Sequence, residues 1–597
     1  MSFQTFEAMT RPEDGPPRLA RLREHLKAQG LDGFLVPRAD AHQGEYVAPS
    51  DERLAWLTGF TGSAGFAAVL GEEAGVFVDG RYTTQVKAQV DTAHFTPVPW
   101  PKTKLGPWLA ERMEAGQTMG YDPWLHTGFQ ISEIEKAFEE KGIKLKPMVN
   151  AVDAVWEGRP GRPTGDLSLY PERFAGRSAD EKRAEIAKIL SDAGEAAALL
   201  TLPESIAWLL NIRGSDIPRT PVAHAFAVIS ADGAVDLFTD APASDAVRDH
   251  LGQGVRFHPY GAFHTHIGTL KGKARIHTRT APHILWGAVA EPVVGDDPCF
   301  GPQSKKTSAE IAATTEAHLR DGAAMAEFLA WLDAEAPKGA LTEIAVAQKL
   351  EACRIATGEL RDISFDTISG SGPNGAIVHY RVTRDTDRAV SPGELLLVDS
   401  GGQYLDGTTD VTRTMAIGTP TDEHREAFTQ VLQGMIAVSL ARWPKGLTGR
   451  DLDPLARAPL WRAGKDYDHG TGHGVGVYLS VHEGPHGITR RSKVVLEPGM
   501  IVSNEPGYYR EGAFGIRIEN LVTVVEAPPL EGADDREMLA FDTLTYVPID
   551  RRLIDMSRLA PAELDWLNAY HARVKALISP RVSDTTRVWL DAATAPL

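Results

Sequence analysis

The chain reads as a multidomain protein of α/β and α+β class: two similar α/β domains in its amino-terminal half, then a larger α+β domain. Three observations predict this. The length of 597 residues exceeds a single core, because domains average roughly 150 residues and three or four are expected. The first half contains an internal repeat, and the second half alternates helical patterns with strand-like runs.

The repeat is direct. AWLTGFTGS at 55–63 aligns without gaps on AWLLNIRGS at 207–215, with identity at the Ala, Trp, Leu, Gly and Ser positions. After the insertion DIPRTPV, the run AHAFAVISADGAVDLFTD from Ala223 resembles AGFAAVLGEEAGVFVDG from Ala64, each reading as two apolar strands around a polar turn. Each copy follows a helix with an apolar face (Arg18 to Gln29; Ala179 to Ala193) and a short apolar strand (33–37; 197–201), so each should be an α/β domain with a mixed sheet. The Gly- and Pro-rich stretch from Gly158 reads as a linker, placing the first domain at 1–157 and the second at 158–304. The third, 305–597, opens on Thr307 and Glu310 in capping-box spacing ahead of a long helical pattern. Further helices are expected after Thr342, around HREAFTQVLQGMIAVSLARW and around DLDPLARAPLWRAG, and the final stretch reads as one amphipathic helix with a short tail packed on this domain.

Composition narrows the function classes. Hydrophobic residues make up 43% and charged residues 24%, and no apolar run reaches the roughly 18 residues that could span a bilayer. The charged, Pro-containing amino terminus lacks the apolar stretch of a signal peptide, so a cytoplasmic protein is expected. A net charge of −18 disfavours nucleic acid and anionic membranes as partners. Cys299 and Cys353, far apart and in no CxxC pair, read as packing residues.

Five potential metal ligands lie in the third domain: Asp399 in LLLVDSGG, Asp410 in TTDVTRT, His473 in HGTGHGVG, Glu505 in NEPGYY and Glu519 in GIRIEN. Four carboxylates and one imidazole would balance two divalent cations, and mostly oxygen donors suit hard or borderline ions such as Mn²⁺. A paired-metal site that activates water is a hydrolase's equipment. Asp399 and Asp410 flank a turn at hairpin spacing, where opposed side chains approach within about 5.5 Å. His469 and His473 have helical four-residue spacing, but Gly470, Gly472 and Gly474 each cost a helix about 1 kcal/mol, so a strand or close-approach loop is expected, with one histidine a ligand and the other its neighbour. Alternation in GIRIENLVTVV puts Arg517 and Glu519 on one face, where metal ions, a mutual salt bridge or water could compensate the charge. His482 lies nearby in the Gly-rich chain, and His486 reads as a surface residue.

With these motifs, together with HQGEYVAPSDERLAWLTGFTGSAG, GRYTTQ, ESIAWLLNIRGSDI, TISGSGPNGAIVHY and VHEGP, nearly the whole chain resembles the pita-bread metallopeptidases, and within them the three-domain cytosolic aminopeptidase P group. The resemblance implies two creatinase-like amino-terminal domains before a pita-bread catalytic domain. It also implies that Asp399 binds one metal, that Asp410 and Glu519 bridge both, and that His473 and Glu505 complete the other shell, with two Mn²⁺ ions per subunit as the usual cofactor and Co²⁺ or Zn²⁺ as substitutes in vitro. A water or hydroxide between the ions would attack the scissile carbonyl. His379 and His482 would stand beside the substrate and help pass a proton to the leaving nitrogen, His469 would shape the proline pocket, and Arg517 would position Glu519. The implied reaction removes the amino-terminal residue from peptides with proline second, an amide without an N–H and with φ fixed near −65°, in a homodimer. A prolidase, a non-catalytic binding module and a metal-free relative acting on a guanidino compound are the rival readings, disfavoured by the repeated amino-terminal unit and by the complete ligand set.

Overall fold

The computed structural model describes residues 3–597. Two compact units form: one of Met9–Glu172 with Arg177–Gln303, the other of the amino-terminal segment up to Ala8, Arg173–Gly176 and Ser304–Leu597.

The first unit contains the repeat as two six-stranded sheets with one topology. Their orders are Thr96–Pro99, Ala74–Val78, Phe66–Leu70, Gly33–Pro37, Thr118–Tyr121, Lys144–Pro147 and Val255–His258, Val235–Phe238, Phe226–Ser230, Ala197–Leu200, Ala274–Ile276, Pro292–Val294. In each, the three middle strands pair antiparallel and the outer connections are parallel, giving the mixed sheet expected. The matching AWL segments are helical ends. Gly59 closes Arg53–Thr58 at φ 89° and the aligned Asn211 closes Pro203–Leu210 at φ 50°. Both positions need left-handed backbone, which Gly and Asn tolerate best, so the repeat preserved a conformation through two different residues.

The second unit starts with Ser308–Glu335, a helix closed at its amino end by the capping box expected of Thr307 and Glu310. Helices Glu343–Ile355, Asp422–Ser439 and Gly449–Arg462 follow where the patterns placed them. The end of the chain departs from expectation: beyond Pro561–Ile578 the tail forms a second helix, Asp584–Ala593. Ser583 caps it, Glu327 of the long helix accepts from the Ser583 N–H, and Leu590 is fully buried, so tertiary contacts order a segment too short to announce itself. Three strands, Ile368–Ser371, Leu395–Ser400 and Val411–Ala416, form one sheet, and Ile501–Asn504 lies between Gly472–Gly474 and Asn520–Glu526 in another. GIRIENLVTVV is not one continuous strand: Phe514–Arg517 pairs with Gly507–Arg510, the chain breaks at Ile518 and Glu519, and Asn520–Glu526 joins the six-stranded sheet. That break frees Glu519 from both ladders.

Candidate metal centre

Every candidate ligand stands at or next to a strand end. Asp399 is the penultimate residue of Leu395–Ser400, Asp410 directly precedes Val411–Ala416, His473 is the middle of Gly472–Gly474, Glu505 directly follows Ile501–Asn504 and Glu519 directly precedes Asn520–Glu526. The hairpin register sets Asp399 opposite Thr412 rather than Asp410, so the two aspartates are diagonal neighbours two residues out of register. Gly472 and Gly474 hold His473 on a strand, as the glycines required, because a Cβ at Gly472 would overlap the Ser503 carbonyl.

The side chains converge. Potential ligand atoms of Asp399, Asp410 and Glu519 lie within 4.8 Å of one another, as do those of His473, Glu505 and Glu519 and those of Asp410, His473 and His482. Glu519 and Asp410 each belong to two of these triads, the placement a bridging carboxylate needs. His473 Nε2 is 3.5 Å from both Asp410 Oδ2 and Glu505 Oε1, while its Nδ1 faces the Gly474 carbonyl at 2.9 Å. Donation from Nδ1 to that carbonyl fixes the ring's orientation and leaves Nε2 facing the carboxylates. The His482 ring meets that of His473 edge to face at 4.3 Å.

Electrostatics shows what such a cluster needs. Burial, with Asp410 and Glu505 adding repulsion, pushes Asp399 up to about 6 even though Arg517 pulls the other way. Burial followed by Asp410, Glu505 and Asp399 raises Glu519 well above the carboxylate range, and burial raises Glu505. Burial lowers His473, but Asp410 and Glu505 overcome it and bring the imidazole up to about 9. Asp399 Oδ1 and Asp410 Oδ1 are buried without a hydrogen-bond partner. Buried carboxylates whose potential ligand atoms lie within 4.8 Å of one another, two of them with an orphaned oxygen, fit two divalent cations.

Arg517 is placed differently from expectation. Its Nη2 donates to Asp399 Oδ2 at 2.6 Å, its Nη1 to the Tyr509 hydroxyl at 2.6 Å and its Nε to Thr412 Oγ1 at 3.2 Å. Glu519 instead accepts from Thr412 Oγ1 at 2.8 Å. Arg517 therefore orients Asp399 directly and reaches Glu519 only through Thr412, because the break after Arg517 turns the two side chains apart. It occupies Oδ2, while Oδ1 is buried without a hydrogen-bond partner. His486 is a second correction: at 4% exposed it is buried, with Nε2 against the Ile501 carbonyl at 2.9 Å and burial holding it down at about 4. The polar run VHEGPHG concealed an inward-facing strand residue.

Comparison with known proteins decides the family. Residues 312–526 match metallopeptidase family M24, 18–155 and 158–310 each match the creatinase/prolidase N-terminal domain, and 537–597 match the C-terminal region of peptidase M24. A probable Xaa-Pro aminopeptidase P of Ajellomyces dermatitidis is 39% identical over 98% of this chain and 100% of its own length. The chain belongs to metallopeptidase family M24. A second relative of the same name, from Tuber melanosporum, is 39% identical over 94% of this chain and 95% of its own. The crystal structure of X-prolyl aminopeptidase from Caenorhabditis elegans, described as a cytosolic enzyme with a di-nuclear active site, superposes with a TM-score of 0.93 at 33% identity, covering 97% of this chain and 99% of the other.

Within the second unit, four supporting residues escaped the sequence reading. Tyr509 links Arg517 to His469, whose Nε2 lies 2.8 Å from the Tyr509 hydroxyl and whose Nδ1 faces the Gly470 carbonyl at 2.7 Å. Arg413, 2% exposed, donates to the carbonyls of Thr412, Glu519, Val547 and Pro548, to Asn520 Oδ1 and to the Tyr570 hydroxyl. Lys306 and Glu483 form a buried ion pair directly after His482. Tyr509, Arg413 and Glu483 sat in motifs already recognised and Lys306 did not, but hydrogen bonds to backbone carbonyls and distant side chains leave no spacing signature.

Proposed function

We propose that this M24 chain, loaded with two divalent ions, is an Xaa-Pro aminopeptidase: it hydrolyses the first peptide bond of substrates whose second residue is proline. The observation that carries this is the pair of triads sharing Glu519, present in a chain similar over its full length to proteins named for that activity. Asp399, Asp410 and Glu519 would hold one ion, and His473 and Glu505, with the shared Asp410 and Glu519, the other; Mn²⁺ suits this donor set. When bound, the ions supply Lewis-acid polarisation of the scissile carbonyl and lower the pKa of a water.

The remaining work falls to the protein. His482, set against His473, and His379 face the substrate, hydrogen-bonding the carbonyl oxygen as it gains charge. One of them delivers the proton that the proline nitrogen requires when the C–N bond breaks. That nitrogen carries no hydrogen in the substrate, so recognition falls to the ring and to the shape given by His469, whose ring nitrogens are occupied by Tyr509 and Gly470. The enzyme acts in the cytoplasm as a homodimer. No helix among the described residues is long and apolar enough to cross a membrane.

The test strips metal with chelator, restores Mn²⁺ and follows free arginine from Arg-Pro-Pro and from Arg-Pro. Metal-dependent release from the tripeptide is expected. Cleavage confined to the dipeptide would make the chain a prolidase, and cleavage of neither would refute peptidase function.

A further inference from the structure

The stretch from Ser371 to Arg388 carries His379, and its regular structure is a single 3₁₀ turn, Gly372–Ala376. Such a stretch has no hydrogen-bond ladder of its own to fix a side chain. One buried carboxylate ties it at several points, beside local tethers such as Arg381 Nε to Asp366 and Arg384 N to the Phe6 carbonyl. Glu343, fully buried at the start of helix Glu343–Ile355, accepts from Ser371 N at 2.7 Å and Arg388 N at 3.2 Å, at the two ends of the stretch. It also accepts in the middle, from Asn374 Nδ2 at 3.0 Å to both oxygens and from the Tyr380 hydroxyl at 2.9 Å. Around this hub the neck of the stretch is tied again: Arg388 donates to the Ser371 carbonyl and pairs with Glu394, which also accepts from Ser371 Oγ.

The same stretch is seated on the metal-bearing strands. Ile368–Ser371, from which it departs, pairs with the strand of Asp399, with Ile368 opposite Asp399 itself. Gly375 lies so close to Gly515, two residues before Arg517, that a Cβ on Gly515 would overlap the Gly375 carbonyl. A displacement at Asn374 or Tyr380 therefore moves His379 relative to those strands.

We propose that Glu343 is a positioning residue for the peptidase reaction, holding His379 in register with the metal centre through its four donors. The inference rests on the reading of His379 as a substrate-facing residue. The three nitrogen partners can only donate, and the Tyr380 hydroxyl, which also lies 3.0 Å from the Thr386 carbonyl, can give its one proton to Glu343; a carboxylate satisfies them all, whereas Glu343→Gln keeps size but turns an NH₂ toward a backbone N–H.

The experiment is a double-mutant cycle of Glu343→Gln and His379→Ala in Mn²⁺-loaded protein, measuring kcat and KM for Arg-Pro-Pro, ions bound per chain and thermal unfolding. We expect Glu343→Gln to bind as many ions per chain as wild type and to stay folded at the assay temperature, with its unfolding temperature lowered by the buried donor clash, while kcat falls about 10²-fold, the order that a displacement of about 1 Å costs. In the His379→Ala background the same substitution should cost less than about threefold, because coupled residues are not additive. A harmless Glu343→Gln beside a damaging His379→Ala, or full additivity of the two, overturns the inference alone. A His379→Ala enzyme at the wild-type rate overturns the reading of His379 and this inference with it. Should Glu343→Gln fail to fold, Tyr380→Phe removes one donor and leaves the carboxylate. Its kcat should fall at least threefold, and that loss should vanish in the His379→Ala background; a wild-type kcat or an additive loss overturns the inference.

Discussion

Arg517 shows how much one side chain decides at the residue scale. Its three nitrogens are spoken for by Asp399, Tyr509 and Thr412, so it holds the Asp399 carboxylate and aligns the hydroxyl beside His469. Arg517→Gln should weaken metal binding by about 10- to 100-fold, the usual effect of losing a group that orients a ligand. Titration of chelator-stripped protein with Mn²⁺ checks this, and unchanged affinity would remove Arg517 from the site's support. The ligands themselves were legible in the sequence because each sits in a short motif of carboxylate or imidazole among glycines and turn residues. The partner of Arg517 was not, since alternation along GIRIEN assumed one strand and a break of two residues re-aimed the side chains.

Elements bring the ligands together through close backbone approach. The strand of His473 fits only because Gly472 has no Cβ to meet the Ser503 carbonyl, and the strand leading to Arg517 fits against Gly375 for the same reason at Gly515. Gly515→Ala should destabilise its unit by at least about 1–3 kcal/mol, the usual cost of overpacking, while an alanine at Gly512, where nothing lies within 4 Å, should lower thermal stability far less despite its φ of +75°. Equal thermal shifts would show that close approach does not limit this strand. Helices were read well from periodicity and caps: Thr307 with Glu310 needed no tertiary information. Asp584–Ala593 did, because its stability comes from Leu590 and from Glu327 on another helix rather than from its ten residues alone.

For the molecule as a whole, the internal repeat forecast two similar α/β domains with mixed sheets, and the order Asp, Asp, His, Glu, Glu forecast a set of five potential ligands in the third domain. What neither could show is how the carboxyl-terminal helices support the centre. Arg413 spans from the Glu519 carbonyl to the Tyr570 hydroxyl on helix Pro561–Ile578, so Tyr570→Phe should lower Mn²⁺ affinity although Tyr570 touches no ligand side chain. Calorimetric titration would measure it, and a wild-type affinity would confine this helix to packing. On the same helix, buried His571 accepts from Ile549 N–H at 3.1 Å, and burial, with Arg413 and Arg551 adding to it, pulls its pKa down to about 4. The unfolded histidine takes up its proton first as pH falls from about 6.5, so the stability due to neutral His571 is complete above that pH and drains away toward pH 4. His571→Gln keeps an acceptor for Ile549 without titrating. Its apparent Tm should therefore fall less than that of wild type between pH 6.5 and 4.5, and parallel declines would contradict the assignment.

The central claim is that two ions share Asp410 and Glu519, and counting ions tests it most directly. Chelator-stripped protein reloaded with Mn²⁺, freed of excess metal and analysed for manganese per chain, should hold two ions in the wild type. Glu519→Ala should hold fewer than one and release no arginine from Arg-Pro-Pro. A wild type saturating at one ion, or a Glu519→Ala variant that keeps two ions and its activity, would contradict the shared-carboxylate centre.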